Sequence, residues 1–272
     1  MSFQNAVEIA PPGLRRLPGL LLDVAAEIPD VVGDRWLSGV TFPPLGSGGL
    51  SRLTPSFCDD DTYDQLLATE GCATFAPFSV YGAEEGTTLD WDANQLSARI
   101  TAREAMLSEQ LTAELFASTD SPSLNDSAFA VPGGPFEALR ALAAVEAILA
   151  MVLHGAEGIV WMPPGMTTVV AQHLYRDGST YRTPTGHRVA SDPGAFGQVP
   201  DGESANPETA WIYGSGPVLY KVGDVVDNVV SAEQYLDRDR NTILAQQRRY
   251  AIVAFDPATV VAAEAFYSGS GS

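Results

Sequence analysis

The pattern of apolar and polar positions divides the chain into a helical middle and a strand-rich end. Leu96, Ile100, Leu107, Leu111 and Leu115 recur near helical spacing, while Arg99, Arg103, Glu104, Glu109 and Glu114 occupy other faces. That period predicts an amphipathic helix over about Asp92–Ala117, with Asp90 or Asp92 accepting from the free N–H groups of its first turn. Roughly 26 residues at ~1.5 Å rise would make a rod of about 39 Å. The polar run TDSPSLNDS then breaks it. A second helix is predicted from Pro135, suited to a first helical turn, to His154, with Leu139, Leu142, Val145, Leu149 and Val152 on one face and Gly155 as the stop. GIVWMPP reads as a buried strand and Gly165–His173 as a short helix. LYRDGSTYRTPTGHRV, AWIYGSGPVLYKVGDVV and DRDRNTILAQQRRYAIVAFDPATVVAA follow as strands punctuated by turns. The order predicts a mixed α+β protein.

Three stretches depart from this regularity. Residues 1–55 carry Pro11, Pro12, Pro18, Pro29, Pro43, Pro44 and Pro55, and proline interrupts both helices and sheet ladders. Yet Leu20, Leu21, Leu22, Val31, Val32, Trp36 and Phe42 are too apolar for a free linker. They must bury against a neighbouring subunit or against the chain's own main body. The expectation is an extended arm, with residues 1–50 lacking regular packing on their own body. Residues 56–90 read as a long excursion, acidic in SFCDDDTYDQLL and strand-like at Phe75, Phe78, Val80 and Tyr81. Ser191–Thr209, with Pro193, Gly194, Gly197, Pro200, Gly202 and Pro207, is expected to be a long irregular loop, which in a compact domain is usually functional or disordered.

Composition narrows the function. A chain of 272 residues fills one large domain or two, and 45% apolar with 18% charged residues describes a folded protein. Its 34 acidic and 15 basic side chains give a formal charge of −19, which repels free nucleic acid. Lys221 is the one lysine against fourteen arginines, a bias that suggests high-GC coding of an actinobacterial type. Cys58 and Cys72 are expected reduced, although their separation would allow a bridge. The apolar stretch Ala141–Leu153 contains Glu146 and falls short of the ~20 residues that cross a bilayer. The start, MSFQNAVEIAPPG, lacks the features of a signal peptide.

Catalytic chemistry finds no foothold. His154 and His173 each close a helix, where a cation or donor near the last carbonyls is favourable, and His187 follows Gly186 in a turn expected to be exposed. Ser215 lies in Gly214-Ser215-Gly216-Pro217, a tight turn rather than a nucleophile elbow. Gly46-Ser47-Gly48-Gly49 lacks a P-loop lysine, and Cys58-Asp59-Asp60-Asp61 has no second ligand pair at a zinc-like spacing. No catalytic, cofactor-binding or metal residue is therefore assigned.

The residues Thr183-Pro184-Thr185-Gly186, Gly214-Ser215-Gly216-Pro217, Asn241-Thr242 and Tyr250-Ala251-Ile252-Val253-Ala254-Phe255-Asp256-Pro257 stand in a characteristic order. In that order and spacing they resemble the C-terminal half of tailed-phage major capsid proteins, the Hong Kong 97-type fold shared with encapsulins. The likeness extends loosely back to Phe57 and fails in residues 1–50. It implies an N-terminal arm over 1–55, an extended loop over 56–90, a peripheral domain with a long spine helix over 91–130 and 232–272, and an axial domain over 131–231. It further implies a major capsid protein, not an enzyme, that self-assembles through pentamers and hexamers into an icosahedral head shell around phage DNA. Scaffold, portal and decoration proteins would be its partners, without sequence-specific DNA binding or a membrane. It would be assembled in the host cytoplasm and reside in the virion. An encapsulin-like compartment and an uncharacterised soluble enzyme are the alternatives. Some members of the family weld subunits through a Lys–Asn bond from the extended loop, where this chain has no lysine. The residues expected at contacts between subunits are Trp36, Phe42, Phe75, Phe78, Tyr81, Asp192, Phe196, Asp201 and Glu203. By resemblance, the 191–209 loop is the axial tip, where Asp192, Asp201, Glu203 and Glu208 would form acidic rings.

Overall fold

Alternating and continuous apolar runs in the second half of the chain become two sheets. In the computed structural model the described residues are 19–42, 73–87, 107–229, 236–237 and 242–267. They fall into two units. One is drawn from 78–107 and 222–251, the other from 18–77, 108–221 and 252–272.

The smaller unit is built on long strands. β4 (Phe78–Thr87) runs antiparallel to β13 (Thr242–Ala254), with Phe78 opposite Ala251 and Thr87 opposite Thr242. β12 (Leu236–Asp237) pairs with the beginning of β13, and β11 (Leu219–Val229) is the other neighbour of β13 in the same sheet.

The larger unit is organised by a sheet in the order β5-β14-β10-β6-β9-β8-β7. Its strands are β5 (Phe129–Ala130), β6 (Ile159–Met162), β7 (Tyr175–Asp177), β8 (Thr180–Arg182), β9 (Arg188–Ser191), β10 (Thr209–Ser215) and β14 (Val261–Phe266). Every residue of β6 and β10 is buried, as central strands covered on both faces are, and β6 is apolar throughout. Their side chains alternate between two faces. Val160, Met162 and Ile212 point into a core with Leu142, Val145 and Leu149 of helix α4 (Ala138–Val152) and Met166 and Val170 of α5 (Pro164–Val170). Burying each such side chain contributes on the order of 2 kcal/mol. Trp161 and Tyr213 point the other way, where Phe116 of α2 (Leu107–Ala117) meets both rings edge-on at 6.4 and 4.9 Å. Gly214 lets α4 settle on the sheet, because a Cβ there would lie 2.7 Å from Val145 Cγ1 and 2.8 Å from Leu149 Cδ1.

Several expectations change here. The part of the arm within the described residues, 19–42, packs on its own chain. α1 (Leu21–Val24) precedes β1 (Ala26–Glu27), which runs parallel to Leu219–Tyr220, and β2 (Val40–Phe42) pairs with β3 (Ala73–Phe75). Leu20, Leu21, Val24, Ile28, Trp36 and Phe42 are all buried. These six apolar residues among the prolines are thus covered within their own chain. The last strand, β14, belongs to the 232–272 segment expected to be peripheral, and it lies inside the seven-stranded sheet, opposite β10 from Thr209↔Phe266 to Gly214↔Val261. Helix α4 begins at Ala138 rather than at Pro135, because Phe136 is paired to the sheet edge: its carbonyl, which a helix starting earlier would use, accepts from Phe266 N–H at 2.9 Å, and its N–H donates to Glu264 O at 2.9 Å. Of the expected spine helix, Leu107–Ala117 is helical, and the part from Asp92 to Met106 lies outside the described residues. Cys58, Cys72 and the acidic part of the 56–90 excursion also lie outside them.

Candidate assembly surfaces

The connection between β9 and β10 is better ordered than its prolines and glycines suggest. Asp192, fully buried, accepts from Gly194 N–H at 3.0 Å, Leu21 N–H at 3.2 Å and the Ser108 hydroxyl at 3.3 Å. Gly194 sits where a Cβ would come within 2.8 Å of Thr112 Cβ, so this end of the loop lies hard against α2. Further along, Gln198 Nε2 donates to Gly194 O at 3.1 Å, and Asn125 Nδ2 donates to Gln198 Oε1 at 3.0 Å. Asn125 also accepts from Asp201 N–H through its carbonyl at 2.9 Å and from the Tyr213 hydroxyl at 2.7 Å. Burial pushes the Tyr213 phenol far above its ordinary pKa, which keeps it a donor. Asn125 is placed by α3 (Leu124–Ser127), capped by the Ser123 hydroxyl on Asp126 N–H at 3.1 Å. This framework holds Phe196 with 69% of its surface exposed, beside a solvated rim of Asp201, Glu203 and Glu208.

A second polar network ties down the β7-β8-β9 edge of the sheet and the turn that joins β8 to β9. Gly186, at φ +100°, closes the turn Thr183-Pro184-Thr185-Gly186, a backbone angle that favours glycine. Glu146 of α4, itself buried, accepts from the Thr185 hydroxyl and, at 3.3 Å, from Thr185 N–H. Glu157 binds Arg182 at 3.1 Å and Arg188 at 2.5 Å, while Arg182 also binds Asp177 at 2.6 Å. His187, expected to be exposed, is buried, because its Nδ1 accepts from Gly158 N–H at 2.9 Å. Burial lowers its pKa, against the opposing pull of Glu146 and Glu157.

The third surface is the outer side of α4, where Arg140, Ala143, Ala147, Ala150 and Met151 are exposed. Met151 is 67% exposed and Arg140 lies over the Phe136 ring at 5.3 Å.

The expected contact residues therefore divide. Trp36, Phe42 and Phe75 are core residues of their own chain, and Phe75 packs on Phe255 with ring centroids 5.2 Å apart. Asp192 faces inward as a hydrogen-bond acceptor, so it is not part of an acidic ring. Phe78 is half-buried, and the Tyr81 side chain lies outside the described residues. Phe196, Asp201 and Glu203 are exposed together on one loop. Sequence reading missed Asn125, Gln198, Ser108 and Tyr213, which hold that loop. Only Ser123-Leu124-Asn125-Asp126 carried a signal, as a helix-capping pattern. No helix among the described residues is long and apolar enough to cross a membrane.

No family model and no curated protein matches this chain by sequence. Solved structures do match. A chain of Gordonia phage Cozz aligns over 97% of this chain and 91% of its own, at a TM-score of 0.57 and 12% identity. The holo-SrpI encapsulin complex of Synechococcus elongatus aligns over 98% and 94%, at 0.55 and 10% identity. The capsid of Myoviridae phage XM1 aligns over 96% and 97%, at 0.51 and 12% identity. The chain has the fold of phage capsid and encapsulin shell proteins, the Hong Kong 97-type fold.

Proposed function

We propose that this chain is the major capsid protein of a tailed phage, and that it assembles through five- and six-membered rings into a closed shell around DNA. The observation that carries this reading is the nearly full-length match, in both chains, to a chain of a Gordonia phage and to the capsid of a second phage. The loop geometry is compatible with it: a phenylalanine held exposed on a braced loop is available for contact between copies. The proposal includes residence in the virion, assembly in the host cytoplasm and a structural rather than enzymatic role. An actinobacterial host is suggested by the scarcity of lysine. The acidic chain suits a wall that encloses DNA without gripping it.

An encapsulin-like compartment is the second reading, favoured by the match to the SrpI complex at 98% of this chain. Electron microscopy of the purified full-length protein tests both. Closed shells are expected, and a chain that stays monomeric at assembly concentrations refutes both. Particles from producing cells that carry DNA support the capsid, and particles filled with protein cargo support the compartment.

A further inference from the structure

Helix α4 is apolar on both sides. Its inner side, with Ala141, Leu142, Val145 and Leu149, is buried on the sheet, as an amphipathic helix requires. Its outer side should then be polar, yet Ala143, Ala147, Ala150 and Met151 lie there in contact with water. Arg140 is the one basic side chain on that helix, and its guanidinium stacks on Phe136 instead of pairing with an acid. The same unit offers the counterpart. Phe196 is exposed on a loop that Asp192 ties to α2 and Asn125 ties to α3, and Asp201 and Glu203 are exposed further along the same loop. A rigid, exposed aromatic surrounded by polar groups has the anatomy of an interface anchor. Fixing the loop in advance lowers the ordering cost of contact.

We propose that these two surfaces meet between copies of this chain. The Phe196 loop of one copy seats on the outer side of α4 of the next, with Phe196 against Ala147 and Met151 and with Asp201 and Glu203 facing Arg140. Charge complementarity favours a second copy as the occupant: each copy of this −19 chain carries the acidic loop, and the exposed Arg140 of α4 offers it a cation. The contact is heterologous, two different patches on each copy, which is the kind that closes into rings. The proposal rests on the shell reading, since it describes how that shell is joined.

Disulfide trapping tests it in the full-length chain. Cys58 and Cys72 are replaced by serine, and Phe196→Cys and Ala147→Cys are introduced singly and together. The expected result is a ladder of covalent multimers on non-reducing gels from oxidised particles of the double variant, and none from either single variant. A ladder from Phe196→Cys alone would show the loops meeting one another, and would overturn the proposal. So would intact shells of the double variant without a ladder, which would leave the shell reading standing. Failure of the unaltered chain to form shells would remove the shell reading itself. A charge swap gives an independent readout. Arg140→Glu and Glu203→Arg should each lower particle yield about tenfold or more, the loss expected of a residue near an interface anchor. Their combination should restore the yield, with unchanged circular dichroism throughout. A combination no better than either single change overturns the pairing.

Discussion

Two carboxylates of one loop are expected to behave oppositely when removed. Asp192 is fully buried and accepts three hydrogen bonds, whereas Asp201 is solvated and contributes only its backbone N–H to the loop framework. Asp192→Ala leaves Leu21 N–H without its acceptor in a buried site, at a cost of about 1–3 kcal/mol. It also removes charge-assisted bonds to the Ser108 hydroxyl and to Gly194 N–H, although the hydroxyl can rotate and Gly194 is only half-buried. The expected loss is about 3–4 kcal/mol, a large share of the 5–15 kcal/mol typical of a folded protein. With about 2–4 °C per kcal/mol for a chain of this size, the melting midpoint should fall on the order of 10 °C. Asp192→Asn should fall between, because one oxygen survives while the new NH2 group faces one of the former donors. Asp201→Ala should stay within about 0.5 kcal/mol. Calorimetry and urea titration of the three variants provide the measurement. An Asp192→Ala loss below about 1 kcal/mol, or equal to that of Asp201→Ala, would refute the account of the loop anchor.

Three further outcomes follow from the same geometry. Gly214→Ala should destabilise by about 1–3 kcal/mol through overpacking against Val145 and Leu149, and an unchanged urea midpoint would contradict the close helix–sheet approach. Burial holds His187 below the usual imidazole pKa, so the folded chain binds fewer protons than the unfolded one. Its stabilising contribution is therefore complete above about pH 6.5 and declines as pH falls below that value. His187→Gln should flatten this part of the stability–pH curve, and an equally steep acid loss in the variant would assign it to other groups. Phe196→Asp should abolish shells while leaving the circular dichroism spectrum intact, and particle yield beside the spectrum decides it.

How much of this was legible in the sequence depended on the range of the forces involved. Ile159–Met162 could be read as a buried strand, and Leu142, Val145 and Leu149 as one face of a helix, because periodicity is a local property. The role of Asp192 could not be read, since its partners Leu21 and Ser108 lie 171 and 84 positions away. Asp201 presents the same chemistry nine positions on and stays in solvent. Trp36, Phe42 and Phe75 had to be buried somewhere, but nothing local to them says whether the cover is their own chain or another. His187 follows a glycine turn, the usual sign of exposure, and is drawn inward by one backbone donor 29 positions back. Nor does adjacency in sequence predict adjacency in a sheet: β14 follows β13 directly and pairs with β10 instead.

The exposed Phe196 was legible for a different reason. An aromatic residue in a run of Pro, Gly and acids has no local helix or strand face to bury it, so its destination must be tertiary or intermolecular. What the sequence could not supply was the bracing. Without Asn125 and Asp192, so long a connection would sample many conformations, and ordering it on contact would oppose association by about 1–2 kcal/mol for each backbone residue fixed. With both ends anchored on α2 and α3, much of that cost is already met during folding. The residues that shape a contact surface are then buried polar groups far from it in sequence. The residue that makes the contact is the one the fold leaves uncovered.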